Sequence, residues 1–182
     1  MAASTTLVLG GVRSGKSSWA ESQFADAPAV TYVATAARED DALWRHRVAA
    51  HQSRRPAHWR TVETLDLAGQ LLRPSGPTLI DDLGNWVSRV VDRTAGWNGE
   101  LDAFRAMADE LATAWAKTAA RVVLVSNEVG SGVHPPTAAG RIFADELGRL
   151  NAMLAASADE VVLLVAGLPL RIKEPNITGE SQ

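Results

Sequence analysis

The chain contains no cysteine, which excludes a disulfide framework, a thiolate metal site and a cysteine nucleophile. No run of apolar residues approaches the roughly eighteen that a membrane-crossing helix needs. The first residues lack the charged segment, apolar run and small-residue cleavage site of a secretory leader. A cytoplasmic protein without membrane insertion is therefore expected. On that expectation the Asn176-Ile177-Thr178 sequon is coincidental, because glycosylation requires secretion. A large excess of either charge is absent too: a net charge of −3 gives no electrostatic footprint for nucleic acid. There is no internal repeat and no linker long enough to separate two domains. A composition of 46% hydrophobic and 21% charged residues is that of a soluble globular protein, and 182 residues suffice for one domain with a sizeable core.

What is present is organised around residues 5–17. A short β-branched and aliphatic run leads into Gly10-Gly11-Val12-Arg13-Ser14-Gly15-Lys16-Ser17, which matches G-x-x-x-x-G-K-[ST] at every fixed position. In such a loop the glycines permit a tight turn whose successive N–H groups point inward around a phosphate. A helix beginning near Lys16 would add its positive end. Lys16 would reach the β- and γ-phosphates and Ser17 a Mg²⁺ ion. A Gly-rich turn can match this pattern by chance, but a strand before it and a helix after it are the context the motif requires.

Downstream, apolar strands alternate with helical stretches. Residues 29–34, 59–63, 78–82, 121–126 and 160–166 read as strands. Residues 17–24, 39–52, 65–72, 85–93, 100–119 and 137–157 read as helices. The fifth of these carries Leu101, Phe104, Ala108, Leu111 and Trp115 along one face. This alternation predicts right-handed crossovers and a mostly parallel sheet flanked by helices, a single α/β P-loop NTPase domain over residues 1–173, with a polar tail over 174–182.

Two further positions carry chemistry. Asp81 ends an apolar strand, where open parallel sheets gather ligands, and its carboxylate could hold Mg²⁺ or its water shell beside the loop. Helix capping is the competing role, which Asp82 fits as well. Arg47 and His51 lie four residues apart and so share a helix face, with Arg54-Arg55-Pro56 following. Near the apolar line of Trp44 and Val48, His51 can be structural. It can also be a neutral imidazole that attacks phosphorus while arginines stabilise the added charge. His46, His58 and His134 compete, and spacing does not choose among them.

Four blocks occur in one order: GGVRSGKS, RVAAHQSRRPAHWRTVE over 47–63, SNEVGSGV over 126–133, and RLNAMLAASADEVVLLVAGLPLRIK over 149–173. With them, the chain resembles the bifunctional adenosylcobinamide kinase/adenosylcobinamide-phosphate guanylyltransferases of cobalamin biosynthesis. The H-x-x-x-R-P-x-x-W-x-T-x-E block is the most diagnostic part. The resemblance implies two reactions: phosphorylation of adenosylcobinamide by GTP or ATP, then transfer of GMP from GTP to adenosylcobinamide phosphate through a guanylylated histidine. That histidine maps to His51. Nucleotide contacts map to residues 10–17, to Thr35, Ala36 and Ala37, to Gln52, Ser53, Arg54 and Arg55, and to Glu63 and Asp81. Mg²⁺ is the cofactor expected with the nucleotide, held by Ser17 of the loop motif and Asp81 at the strand end. The resemblance also implies a homotrimer with the nucleotide near a subunit boundary.

The chain departs from the family's habit at Gly84 and Arg89, where threonine and asparagine are usual, and at Ala144 and Ala152. Two other functions stay in view: a guanylyltransferase whose kinase step has decayed, and a P-loop nucleotide-sensing module without turnover.

Overall fold

The computed structural model describes residues 4–35 and 56–174. Strand β1 (Thr5–Gly10) is buried along its whole length, as a continuous apolar run in the middle of a parallel sheet should be. Its neighbours are β5 (Val122–Asn127) on one side and β6 (Glu160–Val165) on the other. Beyond β5 come β4 (Thr78–Asp81), β2 (Thr31–Ala34) and the edge strand β3 (Arg60–Glu63), giving the order β3-β2-β4-β5-β1-β6-β7. The first six strands are parallel, and β7 (Leu168–Lys173) returns antiparallel along β6. The expected α/β domain with a mostly parallel sheet is what the chain forms.

Successive residues of each strand face opposite layers. Leu7, Val33, Ile80, Leu124 and Val161 pack with α2 (Leu67–Leu72), α3 (Leu83–Arg93), α4 (Asp102–Lys117) and α5 (Ala138–Ser157). Val8, Tyr32, Leu79, Val125 and Val162 pack on the other face with Ala20 of α1 (Lys16–Ser22) and with Phe24 and Trp59. The predicted face of α4 is the buried one, from Leu101 through Trp115. Large rings are fixed by their polar atoms: the Trp86 indole donates to the Leu65 carbonyl (2.9 Å) and that of Trp115 to the Leu154 carbonyl (3.1 Å).

The starts of α2, α3 and α5 follow side-chain caps. Asp66, Asp82 and Thr137 accept from the backbone N–H groups of Gly69, Asn85 and Gly140. The cap at Asp82 starts α3 two residues earlier than the sequence pattern indicates and ends β4 at Asp81. One element is missing from the sequence reading. Strand β7 occupies residues that the apolar pattern left without a structure after the last strong strand. The predicted helix over 39–52 and most of the 174–182 tail lie outside the described residues.

Candidate functional site

The C-terminal ends of the parallel strands converge on one edge of the sheet. Register places Glu63, Ala34, Asp81 and Val125 in a row across β3, β2, β4 and β5, and Gly10 opposite Asn127 two residues further on. Residues 10–17 close over this edge between β1 and α1. The positive φ angles that shape the turn fall at Arg13 (59°) and Gly15 (93°). Gly15 meets the requirement without strain and Arg13 does not. The Lys16 ammonium donates to the Gly11 carbonyl at 3.5 Å, folded back over its own loop. Ser14 is buried, and its Oγ finds no partner among the described residues.

Asp81 lies across β5 from the loop and still reaches it. The Ser17 hydroxyl donates to Asp81 Oδ1 at 3.3 Å, and the buried Tyr32 hydroxyl donates to Oδ2 at 2.7 Å. One hydroxyl and one carboxylate, both hard oxygen donors, thus sit together beside a phosphate-type loop. That donor set suits Mg²⁺. The alternative left open between the two aspartates separates cleanly in space: Asp82 is the cap, and Asp81 faces Ser17.

Asp82 carries an electrostatic cost. Burial first, and the neighbouring Asp81 second, push its carboxyl up to about 6, against the lowering effects of the Asn85 N–H, Lys16 and the Asn127 side chain. Asn127 belongs to a buried polar chain. Its carbonyl accepts from the Asn151 amide at 3.1 Å, and the Asn151 carbonyl oxygen accepts from Ser126 at 2.6 Å. A side chain at Gly84 would collide with the Asn127 amide, so glycine there lets Asn127 reach Asp82. Arg89 donates to the Thr35 carbonyl at 2.8 Å. The departures at Gly84 and Arg89 are therefore absorbed into the framework behind the strand ends.

Thr35 is fully buried, and its hydroxyl donates to the Asp82 carbonyl at 2.6 Å. Its side chain braces β2 against β4 from inside. Glu63 lies exposed at the end of β3, on the same edge as Asp81. Ala36, Ala37, His51, Gln52, Ser53, Arg54 and Arg55 lie outside the described residues, as does His46. Of the other histidines, His58 precedes β3 and so sits at the opposite end of the sheet, while His134 lies exposed in the loop after β5, on the site's side.

The sequence reading singled out neither Tyr32 nor Asn127 and Asn151. For Asn151 a signal existed: it interrupts the apolar stripe of Leu147, Leu150 and Leu154, where a polar residue needs a buried partner. Among the described residues no cluster of three His, Cys, Asp or Glu forms a metal centre, and no helix is long and apolar enough to cross a membrane.

In overall shape the chain is similar to an ATPase from the type III secretion system of pathogenic bacteria. The TM-score is 0.58 at 11% identity, over 93% of this chain and 57% of that one, a likeness of fold. Sequence relatives are nearer. The bifunctional adenosylcobalamin biosynthesis protein CobU of Salmonella typhimurium is 41% identical, over 92% of this chain and 98% of the relative. The CobU of Escherichia coli is 37% identical and the CobP of Pseudomonas aeruginosa 38%, over 92% of this chain in each case and 98% and 96% of the relatives. The family described as cobinamide kinase / cobinamide phosphate guanyltransferase matches residues 6–172. This chain belongs to that family.

Proposed function

We propose that the protein carries out both reactions of its family. In the first, the aminopropanol hydroxyl of adenosylcobinamide attacks the γ-phosphorus of GTP or ATP. The hydroxyl proton is lost, and the nucleoside diphosphate leaves. In the second, a nitrogen of neutral His51 attacks the α-phosphorus of GTP and expels pyrophosphate. A phosphate oxygen of adenosylcobinamide phosphate then displaces the histidine, giving adenosylcobinamide-GDP. Both exchanges of the second reaction keep a high-energy phosphorus bond, from phosphoanhydride to phosphoramidate to a new anhydride, so charge neutralisation and positioning matter more than a strong base. An imidazole with an ordinary pKa of roughly 6.5 is largely neutral at pH near 7.

The match over residues 6–172 supports the pair of reactions. The observation that carries the placement of the nucleotide is the Ser17–Asp81 contact beside residues 10–17. Ser17 and Asp81 would hold Mg²⁺, which when bound neutralises charge on the β- and γ-phosphates. Lys16 would leave the Gly11 carbonyl for the phosphates. Ala36, Ala37, the 52–55 segment and Glu63 complete the nucleotide contacts in this reading, and Thr35 contributes as a brace.

The reading includes a homotrimer in the cytoplasm. Leu168, Leu170 and Ile172 alternate along β7 and share one face, all well exposed, with Val165 beside them. This apolar row suits a subunit contact, and light scattering would measure the mass. The activity test is direct. Incubation with adenosylcobinamide, a nucleoside triphosphate and Mg²⁺ should give adenosylcobinamide phosphate, and GTP should carry it on to adenosylcobinamide-GDP. Product from added adenosylcobinamide phosphate alone would leave a guanylyltransferase without the kinase step. No turnover of either substrate would leave a nucleotide-sensing module.

A further inference from the structure

We propose that the β6–β7 turn positions the phosphate loop, with Gly167 as the positioning residue. The inference rests on the reading of residues 10–17 as the nucleotide site. Gly167 donates its backbone N–H to the Ser14 carbonyl at 2.9 Å, inside the loop motif itself. Backbone lies on backbone at this contact: a Cβ on Gly15 would stand 3.3 Å from Gly167 Cα. The approach follows from topology. Strand β6 runs beside β1 with Leu164 opposite Gly10, so the hairpin turn projects past the end of β1 to the level of the loop.

The turn is built to place that N–H. Val165 pairs with Leu168, leaving two loop residues, and both have positive φ, 50° at Ala166 and 83° at Gly167. Such a turn matches the twist of the flanking strands. Planarity of the peptide then transmits the contact. The Ser14 carbonyl and the Gly15 N–H belong to one trans peptide and point in opposite directions. Holding the carbonyl toward the hairpin aims the Gly15 N–H away from it, into the hollow of the loop. The preceding peptide is held as well, since Ser14 donates its own N–H to the Gly11 carbonyl at 3.2 Å, so two successive peptides of the loop are hydrogen-bonded before any ligand arrives.

The test measures Mg·GTP affinity by calorimetry and the melting temperature of the ligand-free protein, for four variants. Gly167→Val keeps the N–H but disfavours the positive φ, and should weaken Mg·GTP binding about tenfold, the value of one well-oriented hydrogen bond. Gly167→Asn tolerates the left-handed region and should restore affinity. Lys173→Ala removes bonds to the Ala155 and Ala156 carbonyls at the far end of the same hairpin. It should lower the melting temperature and leave affinity unchanged. Lys16→Ala tests the underlying reading. Wild-type affinity in Gly167→Val beside lost affinity in Lys16→Ala overturns the positioning role and keeps the phosphate loop. Wild-type affinity in Lys16→Ala overturns the phosphate-loop reading. Equal weakening in Gly167→Asn, or in Lys173→Ala, overturns the positioning role by making the effect one of side-chain space or general stability. If Gly167→Val does not fold, Gly167→Ala takes its place with the same expected outcome.

Discussion

The Ser17 hydroxyl, in the first turn of α1, meets the Asp81 carboxylate at 3.3 Å although β1, which leads into α1, and β4, which ends at Asp81, are not neighbours. Strand β5 lies between them, and the contact crosses above its C-terminal end. The second carboxylate oxygen is held by Tyr32 from β2. Three elements thus fix the orientation of one acid before any ligand arrives, the kind of preorganisation that electrostatic catalysis requires.

Asp81→Asn should therefore lower turnover with Mg²⁺-nucleotide about 10- to 100-fold, the usual effect of disturbing a metal's oxygen shell, and raise the Mg²⁺ concentration needed. Tyr32→Phe keeps the charge and should have a smaller effect in the same direction. Initial rates across a Mg²⁺ titration check both. An unchanged Mg²⁺ dependence in Asp81→Asn would remove Asp81 from the metal site.

Asp82 gives a pH dependence whose sign is fixed. Its folded-state pKa of about 6 lies above the ordinary value of 3.8, so the folded protein binds the proton more tightly. The stability it contributes is fully present below pH 3.8 and is lost as pH rises through about 6. Asparagine caps a helix as well as aspartate does. Asp82→Asn should flatten this part of the profile and stabilise the ligand-free protein near pH 7 by on the order of 2 kcal/mol. Denaturant unfolding from pH 4 to 7 in the presence of a chelator measures it.

Trp115→Phe probes the opposite end of the molecule. The ring is buried, and its N–H bonds the Leu154 carbonyl, which also accepts from Ala158. The carbonyl keeps one partner, so lost packing dominates the cost, about 1–3 kcal/mol. Thermal unfolding should show a drop of several degrees, while kcat and KM for both reactions stay at wild-type values.

The parts legible in the sequence are those carried by spacing. The phosphate loop has fixed positions, the α4 face has a helical period, and the buried strands are unbroken β-branched runs. Adjacent identical residues were not separable: Asp81 and Asp82 are chemically alike, and only the backbone decides which caps α3 and which faces Ser17. Thr35 was legible as a residue near the strand ends, but not as one turned inward. Strand β7 escaped because Pro169 weakens its strand signal and its turn is Ala-Gly rather than Asn-Gly. Tyr32 reads as an ordinary strand residue until β4 is laid beside β2.

Passage of GMP through His51 is tested by covalent labelling. Protein incubated with Mg²⁺ and GTP labelled at the α-phosphate should acquire label that is labile in acid and stable in alkali, as a phosphoramidate is. His134→Ala, altered on the site's side of the sheet, should label like the wild type, and His51→Ala should not label. Label persisting in His51→Ala, or absent from the wild type, would mean that GMP does not pass through His51.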